Sequence, residues 1–144
     1  MTIRFPYFAY GSNMNAARMA FRLPCARRIG VGYINGWKLV ERLYADISRQ
    51  PRQRVWGVLY ELTQAELNIL DRYEGYPTIY RDIEVAVHTD KGVVRAMSYM
   101  MTERTRRLRD GIPYPAYYRL LCSLGARQNG IPDGFTTTTR RTTR

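Results

Sequence analysis

The sequence predicts an α+β fold: a small, mainly antiparallel β-barrel with about three short helices packed on it. Three observations carry this. Segments of strand character, six or seven of them, outnumber the helical ones. Most are joined by short turns of hairpin type, so neighbours in sequence should pair as antiparallel neighbours in space. The chain is 144 residues long and 45% hydrophobic, which suits one domain with a sizeable core rather than a disordered chain. No internal repeat or second domain is visible. Residues 1–134 read as a single domain, and residues 135–144, only threonine and arginine from Thr136 onward, as a disordered basic tail.

The elements follow in order. Phe5, Tyr7, Phe8 and Tyr10 are aromatic residues suited to a pleated, partly buried surface, and predict a first strand. Gly11 turns the chain by permitting backbone angles that bulky residues resist. Ser12 and Asn13 are good N-caps, and Met14, Ala17 and Phe21 recur at helical spacing. Free N–H groups at such a turn, at the positive end of a helix, form a ready anion or oxyanion site. The plain alternative is an ordinary capped turn, because one glycine is a weak phosphate-loop signal. After Leu23-Pro24 a strand runs from Arg27 to Ile34. Asn35-Gly36 is a two-residue hairpin signal, with Trp37 to Leu43 returning. Ser48 to Gln53 is a polar loop, and Arg54 to Leu62 is a clear strand whose Gly57 marks a bulge or a close backbone approach.

Thr63-Gln64-Ala65-Glu66 is a capping box, with Leu62 and Leu67 at the staple positions. It predicts a helix from Gln64 to about Glu74, stopped by Gly75 and blocked by Pro77. Tyr80 to Thr89 alternates as a half-buried strand, Asp90-Lys91-Gly92 turns, and Val93 to Met101 returns. An arginine-rich polar loop follows. Beyond Pro113 and Pro115 a third helix should place Tyr117, Leu120, Leu121 and Leu124 on one face and end at Gly125.

The composition excludes several classes of function. No apolar run of about 18 residues is present, so no membrane-spanning helix is expected. No signal-peptide core follows Met1, and a cytoplasmic protein is the expectation. Cys25 and Cys122 form no CxxC, and His88 is the only histidine, so neither a disulfide framework, a structural zinc site nor Ser-His or Cys-His catalysis is expected. The net charge is +11, nearly all from arginine. Such a chain could bind nucleic acid, but the arginines are scattered and no nucleic-acid motif accompanies them. A solvated basic surface, with no specific nucleic-acid partner, is the reading.

One carboxylate stands out. Leu67, Leu70 and Glu74 are spaced i, i+3, i+7 and share a stripe of the second helix. Glu74 either bends out to solvent or stays on the apolar stripe at the negative end of the helix. In the second case burial and dipole both raise its pKa, as a general base or acid near neutral pH requires. Tyr73, Tyr76 and Tyr80 lie close by in sequence. Twelve tyrosines in the chain leave several to line a pocket as donors.

Together these segments resemble the γ-glutamylcyclotransferase family. The resemblance rests on Phe8-Ala9-Tyr10-Gly11-Ser12-Asn13-Met14 and Leu70-Asp71-Arg72-Tyr73-Glu74-Gly75. Val55-Trp56-Gly57-Val58, Ser98-Tyr99-Met100-Met101 and the stretch from Pro113-Tyr114-Pro115-Ala116-Tyr117 to Ile131-Pro132 add to it. It implies a β-barrel α+β fold and cleavage of a γ-glutamyl amide with release of 5-oxoproline and a free amine. It implies that Glu74 is the catalytic acid/base, that Tyr10, Gly11, Ser12 and Asn13 form the substrate-binding loop, and that Tyr99 and Tyr117 line the site, with Tyr80 nearby. No metal or cofactor is implied, and the partner is a small γ-glutamyl substrate. The leaving group is open: an amino acid, an amine or a biosynthetic intermediate. The arginine-rich stretches Ser48–Gln53 and Met101–Pro113 are candidates to attract an acidic one. A non-catalytic binding module on the same fold is the other class, and a carboxylate on an apolar stripe argues against it.

Overall fold

Two long strands make most of the barrel. In the computed structural model, which describes residues 2–132, strand β2 spans Arg27–Arg42 and β3 spans Tyr44–Leu62. They pair antiparallel from Arg42↔Tyr44 out to Arg27↔Glu61. The chain reverses at Leu43, a non-glycine residue with φ 66°. The hairpin expected at Asn35-Gly36 is therefore not formed. Gly36, at φ 83°, sits in a register shift between Asn35↔Arg54 and Trp37↔Arg49, and the strand runs on through it. The polar stretch read as a loop at Ser48–Gln53 is part of β3. Its bulged portion lies between Arg49 and Arg54, with Arg52 at φ 70°. Two predicted strands are thus one, because the ladder resumes on both sides of the bulge.

Strand β1 (Phe5–Ala9) pairs antiparallel with β3, and β4 (Tyr80–Thr89) pairs antiparallel with both β2 and β5 (Gly92–Met101). The parallel contact Tyr7↔Met97 joins β5 back to β1, which closes a five-stranded barrel in the order β1-β3-β2-β4-β5. Residues from all five strands, among them Phe8, Ile34, Leu59, Val87 and Ala96, fill its interior together with Tyr118 and Cys122. A second core lies between barrel and helices, with Tyr7, Met14, Leu62, Leu70, Tyr99 and Ala126. The period of two along β1 divides it between them: Phe8 joins the first core, Tyr7 and Ala9 the second. Gly57 makes the close approach expected of it, since a Cβ there would lie 2.4 Å from the carbonyl oxygen of Ala9.

Among the described residues, four α-helices pack on the barrel: α1 (Ala16–Arg22), α2 (Gln64–Glu74), α3 (Glu103–Arg109) and α4 (Ala116–Gln128). The grammar of α2 is as the sequence predicts, with the reciprocal Thr63–Glu66 capping box and Gly75 in the left-handed conformation at φ 68°. The first helix starts later than expected. Ser12–Met14 form a short 3-10 turn, and Asn15 is the N-cap, its side chain accepting from the Arg18 N–H. Met14 and Met19 are buried there, whereas Phe21 is 81% exposed. Helix α3 lies where an arginine-rich loop was expected. Thr102 caps it, Glu103 occupies its first turn, and Arg106, Arg107 and Arg109 its last, so the charges complement the helix dipole. The buried face of α4 is Tyr118, Cys122, Gly125 and Ala126, one residue out of phase with the predicted face. Gly125 sets this phase, because a Cβ there would come within 2.6 Å of the Asn15 backbone nitrogen.

No helix among the described residues is long and apolar enough to cross a membrane. The boundary drawn after residue 134 and the basic tail 135–144 lie outside the described residues.

Candidate active site

A narrow pocket opens where the Gly11–Asn13 turn meets the C-terminus of α2. β1 and the turn supply Tyr7, Tyr10, Gly11, Ser12 and Asn13. Ala45 of β3, Glu74 of α2, Tyr80 of β4, Ser98 and Tyr99 of β5 and Tyr118 of α4 complete it. The barrel thus brings together six of the seven predicted substrate-binding residues with Glu74. The seventh, Tyr117, lies outside: it is 56% exposed, and its neighbour Tyr118 stands in the wall. Two adjacent tyrosines follow the proline pair, and which of them faces inward is decided by the contact of Gly125 with Asn15, which no local pattern reveals.

Glu74 stays on the apolar stripe rather than bending to solvent. Its side chain is 16% exposed, and Leu70 one turn earlier is fully buried. Asn13 Nδ2 donates to Tyr7 Oη at 3.0 Å and to Glu74 Oε2 at 3.5 Å. Arg22 donates to Asn13 Oδ1 at 2.9 Å, lies 3.9 Å from Glu74 Oε2, and rests over the Tyr73 ring at 4.5 Å. Tyr60 Oη donates to the Asn13 carbonyl at 3.1 Å, which anchors the turn from the barrel side. Burial raises the Glu74 pKa from 4.5 to about 7, and the positive charges of Arg22 and Arg18 and the Asn13 bond keep it from rising further. A carboxyl poised there exchanges protons readily at neutral pH.

The tyrosines are fixed by the backbone. Tyr10 Oη donates to the Tyr99 carbonyl at 2.5 Å and Tyr80 Oη to the Ala45 carbonyl at 2.7 Å. Tyr118 Oη accepts from the Ala45 N–H at 3.2 Å, and Tyr99 Oη donates to Asp71 at 2.5 Å. Burial holds Tyr7, Tyr10, Tyr80, Tyr99 and Tyr118 well above the ordinary phenol pKa, so all are neutral hydroxyls at pH 7. Tyr73 and Tyr76 point outward. Gly11 has φ −116°, so a positive φ is not what the turn demands. A Cβ there would meet Tyr118 Oη at 2.9 Å and Ala45 Cβ at 3.0 Å, so the absence of a side chain is a matter of room.

Sequence reasoning missed Tyr7, Arg22, Ala45 and Asp46. Asp46 is wholly buried, accepting from Arg42 at 2.5 Å and from the Met101 N–H at 2.9 Å, with Arg106 at 3.9 Å. The i, i+4 spacing of Arg42 and Asp46 spans a strand reversal, so no helical charge pattern signalled it. Cys25 and Cys122 are free thiols, and burial pushes Cys122 up to about 12. Among the described residues no cluster of His, Cys, Asp and Glu could hold a metal ion.

Fold and pocket together define a small β-barrel protein whose pocket sets the carboxyl of Glu74 among neutral hydroxyls. The chain belongs to the gamma-glutamyl cyclotransferase, AIG2-like family, whose model matches residues 7–119. It is 34% identical to the gamma-glutamylcyclotransferase of Homo sapiens over 142 residues, covering 89% of this chain and 73% of that protein. It is 32% identical to that of Mus musculus, covering 91% and 74%. A crystal structure of an uncharacterized Homo sapiens protein superposes with a TM-score of 0.82 at 31% identity, covering 95% of this chain and 86% of that one. A structure named gamma-glutamyl cyclotransferase gives 0.79 at 29%, covering 96% and 87%.

Proposed function

We propose that this pocket cleaves γ-glutamyl amides, releasing 5-oxoproline and a free amine. The observation that carries the reading is Glu74, buried among hydroxyls, held by Asn13, with a pKa of about 7. The substrate's α-ammonium must lose a proton before its nitrogen can attack. Glu74 takes that proton. The amine closes on the δ-carbon, the amide C–N bond breaks, and Glu74 passes the proton to the leaving nitrogen. The second proton shed on ring closure leaves with the amine as an ammonium. N–H groups of Gly11 and Asn13 are the candidate donors to the oxyanion at the δ-carbon. Tyr10, Ser12, Tyr80 and Tyr99 shape the walls that curl the glutamyl chain. Attack is intramolecular, so holding that curl captures a proximity advantage on the order of 10⁵–10⁸ M in effective molarity.

The residues suffice for proton transfer and orientation without a cofactor. Two free thiols, Cys25 and Cys122, suit a reducing compartment and support a cytoplasmic location. The test is a panel of γ-glutamyl amides assayed for 5-oxoproline, with Glu74→Gln as the control. Release by the parent and its loss in the variant support the reading, and an inert parent overturns it.

A further inference from the structure

We propose that Asp71 is a positioning residue of the Glu74 pocket: from outside the wall its carboxylate holds the Tyr99 hydroxyl, and so fixes the ring against which the glutamyl chain is curled. This rests on the reading of the Glu74 pocket as the γ-glutamyl site. Asp71 stands on α2 three positions before Glu74, on the same side of the helix. It does not line the catalytic pocket. It lines a separate cleft between α2, β1 and the β4–β5 hairpin, with Leu67, Phe5 and Asp82. Tyr99 lies between the two. Its ring stands in the pocket wall, buried, and its Oη donates to Asp71 Oδ1 at 2.5 Å. A phenol has one hydrogen, so the Tyr99 hydroxyl has none left to donate to a substrate. Its part in the wall is shape.

The rest of the wall is built against this ring. Tyr99 stands edge-on to Tyr7, with centroids 6.0 Å apart, and to Tyr80 at 6.5 Å, and its carbonyl accepts from Tyr10 Oη. Tyr7 Oη in turn accepts from Asn13, the residue that bonds Glu74. Without Asp71 the Tyr99 hydroxyl would be a buried donor that has lost its acceptor, which is costly. The charge that reaches Tyr99 from inside the pocket is that of Glu74, so the freed hydroxyl would turn toward the carboxyl that has to take the substrate's proton. Asp71 also acts through its charge. Burial is the main cause of the raised Glu74 pKa, and the negative charge of Asp71 adds to it, against Arg22 and Arg18 of α1 and the Asn13 bond. Tyr7, Tyr10, Tyr80, Tyr99 and Tyr118, from β1 and the residue after it, β4, β5 and α4, face the carboxyl as neutral hydroxyls. A carboxylate at position 71 therefore keeps the tether in place and Glu74 basic, whereas a neutral acceptor there would do only the first.

The test follows 5-oxoproline release from γ-glutamyl-α-aminobutyrate by the full chain. At pH 8, above the Glu74 pKa of about 7, Asp71→Ala should lower kcat/KM by about tenfold to a hundredfold, as a small misplacement of the substrate does. Tyr99→Phe breaks the same tether from its other end, so adding Asp71→Ala to it should cost less than about threefold more. Asp71→Asn keeps an acceptor for the hydroxyl and loses the charge. It should stay within about threefold of the parent at pH 8, and the acid limb of its profile should move to lower pH, because Glu74 then titrates lower. An Asp71→Ala as fast as the parent, losses that multiply in the double variant, or an Asp71→Asn as slow as Asp71→Ala with its acid limb unmoved, each overturns this inference and leaves the γ-glutamyl reading standing. No 5-oxoproline from the parent overturns both.

Discussion

The Asn13 amide nitrogen lies 3.5 Å from Glu74 Oε2, across 61 positions of sequence, and the same nitrogen is 3.0 Å from the Tyr7 hydroxyl. This contact joins the turn after β1 to the end of α2, and makes the position of the carboxyl depend on both. In Glu74→Gln the side chain keeps its shape and loses its basicity. The variant should retain the fold and lose 5-oxoproline release by about 10²–10⁴-fold, as removal of a general base does. Circular dichroism and a single-turnover assay check it. Activity near that of the parent would remove Glu74 from the mechanism.

The same substitution should change stability with pH. An unfolded glutamate titrates near 4.5, and in the fold burial raises Glu74 to about 7. The folded state therefore holds the proton more tightly. Between these values stability falls as pH rises, and the full penalty is present above 7. Glu74→Gln escapes it. At pH 8 it should be more stable than the parent by on the order of 1–3 kcal/mol, and at pH 4 the gain should vanish. Urea midpoints of both proteins at the two pH values decide it. A less stable variant at pH 8 would show that the charged form is the one the fold favours.

What the sequence made legible was whatever local chemistry specifies. The capping box at Thr63 and Glu66 fixed the start of α2, Gly75 fixed its end, the period of two gave β4, and the turn at Asp90-Lys91-Gly92 gave the returning β5. What it hid was decided across the fold. Asn35-Gly36 has the chemistry of a turn, but its flanking residues pair with one continuous partner strand, so it forms a bulge and Leu43 turns instead. Glu74 and Asn13 were visible as unusual residues. Arg22 and the Ala45 peptide were not, since an arginine on a short helix and an alanine on a strand look ordinary until barrel closure carries them to the pocket. The confusion of Tyr117 with Tyr118 has the same cause: the phase of α4 is set by where Gly125 meets Asn15.

Gly125 therefore has a testable consequence. A methyl group in Gly125→Ala would lie 2.6 Å from the Asn15 nitrogen and 2.8 Å from the Met14 carbonyl carbon, both backbone atoms that cannot rotate away. Helix and turn must separate, at a cost of about 1–3 kcal/mol by overpacking. Asn13 lies in that turn. The variant should lose activity at temperatures well below its melting point, whereas Gly30→Ala, with open space at its Cβ, should not. Normal kinetics in Gly125→Ala would show that the turn absorbs the shift without moving Asn13.

Asp46 should matter for stability above all. It is fully buried, with Arg42 at 2.5 Å and the Met101 N–H at 2.9 Å. Asp46→Ala leaves a buried guanidinium and an N–H without their acceptor, and should cost about 3–5 kcal/mol. Denaturant midpoints measure it. A loss under about 1 kcal/mol would mean that water or Asp110, 3.7 Å from Arg42 Nε, takes over the charge.

Arg22 offers a separate handle on the pocket. Its guanidinium is 3.9 Å from Glu74 Oε2 and bonds Asn13 Oδ1 at 2.9 Å. A positive charge there favours the ionised carboxyl, and is the largest influence holding the Glu74 pKa down against burial. Arg22→Met keeps an apolar stem against Tyr73 and removes the charge, so the carboxyl should titrate above 7. More alkaline solution is then needed to deprotonate it. The acid limb of the kcat/KM profile for 5-oxoproline release should move to higher pH, with part of the lost activity regained above pH 8. Loss of Asn13's partner alone would lower the rate at every pH and leave the limb in place. A limb that stays where it was, or moves to lower pH, would mean that the group governing activity is not the carboxyl beside Arg22.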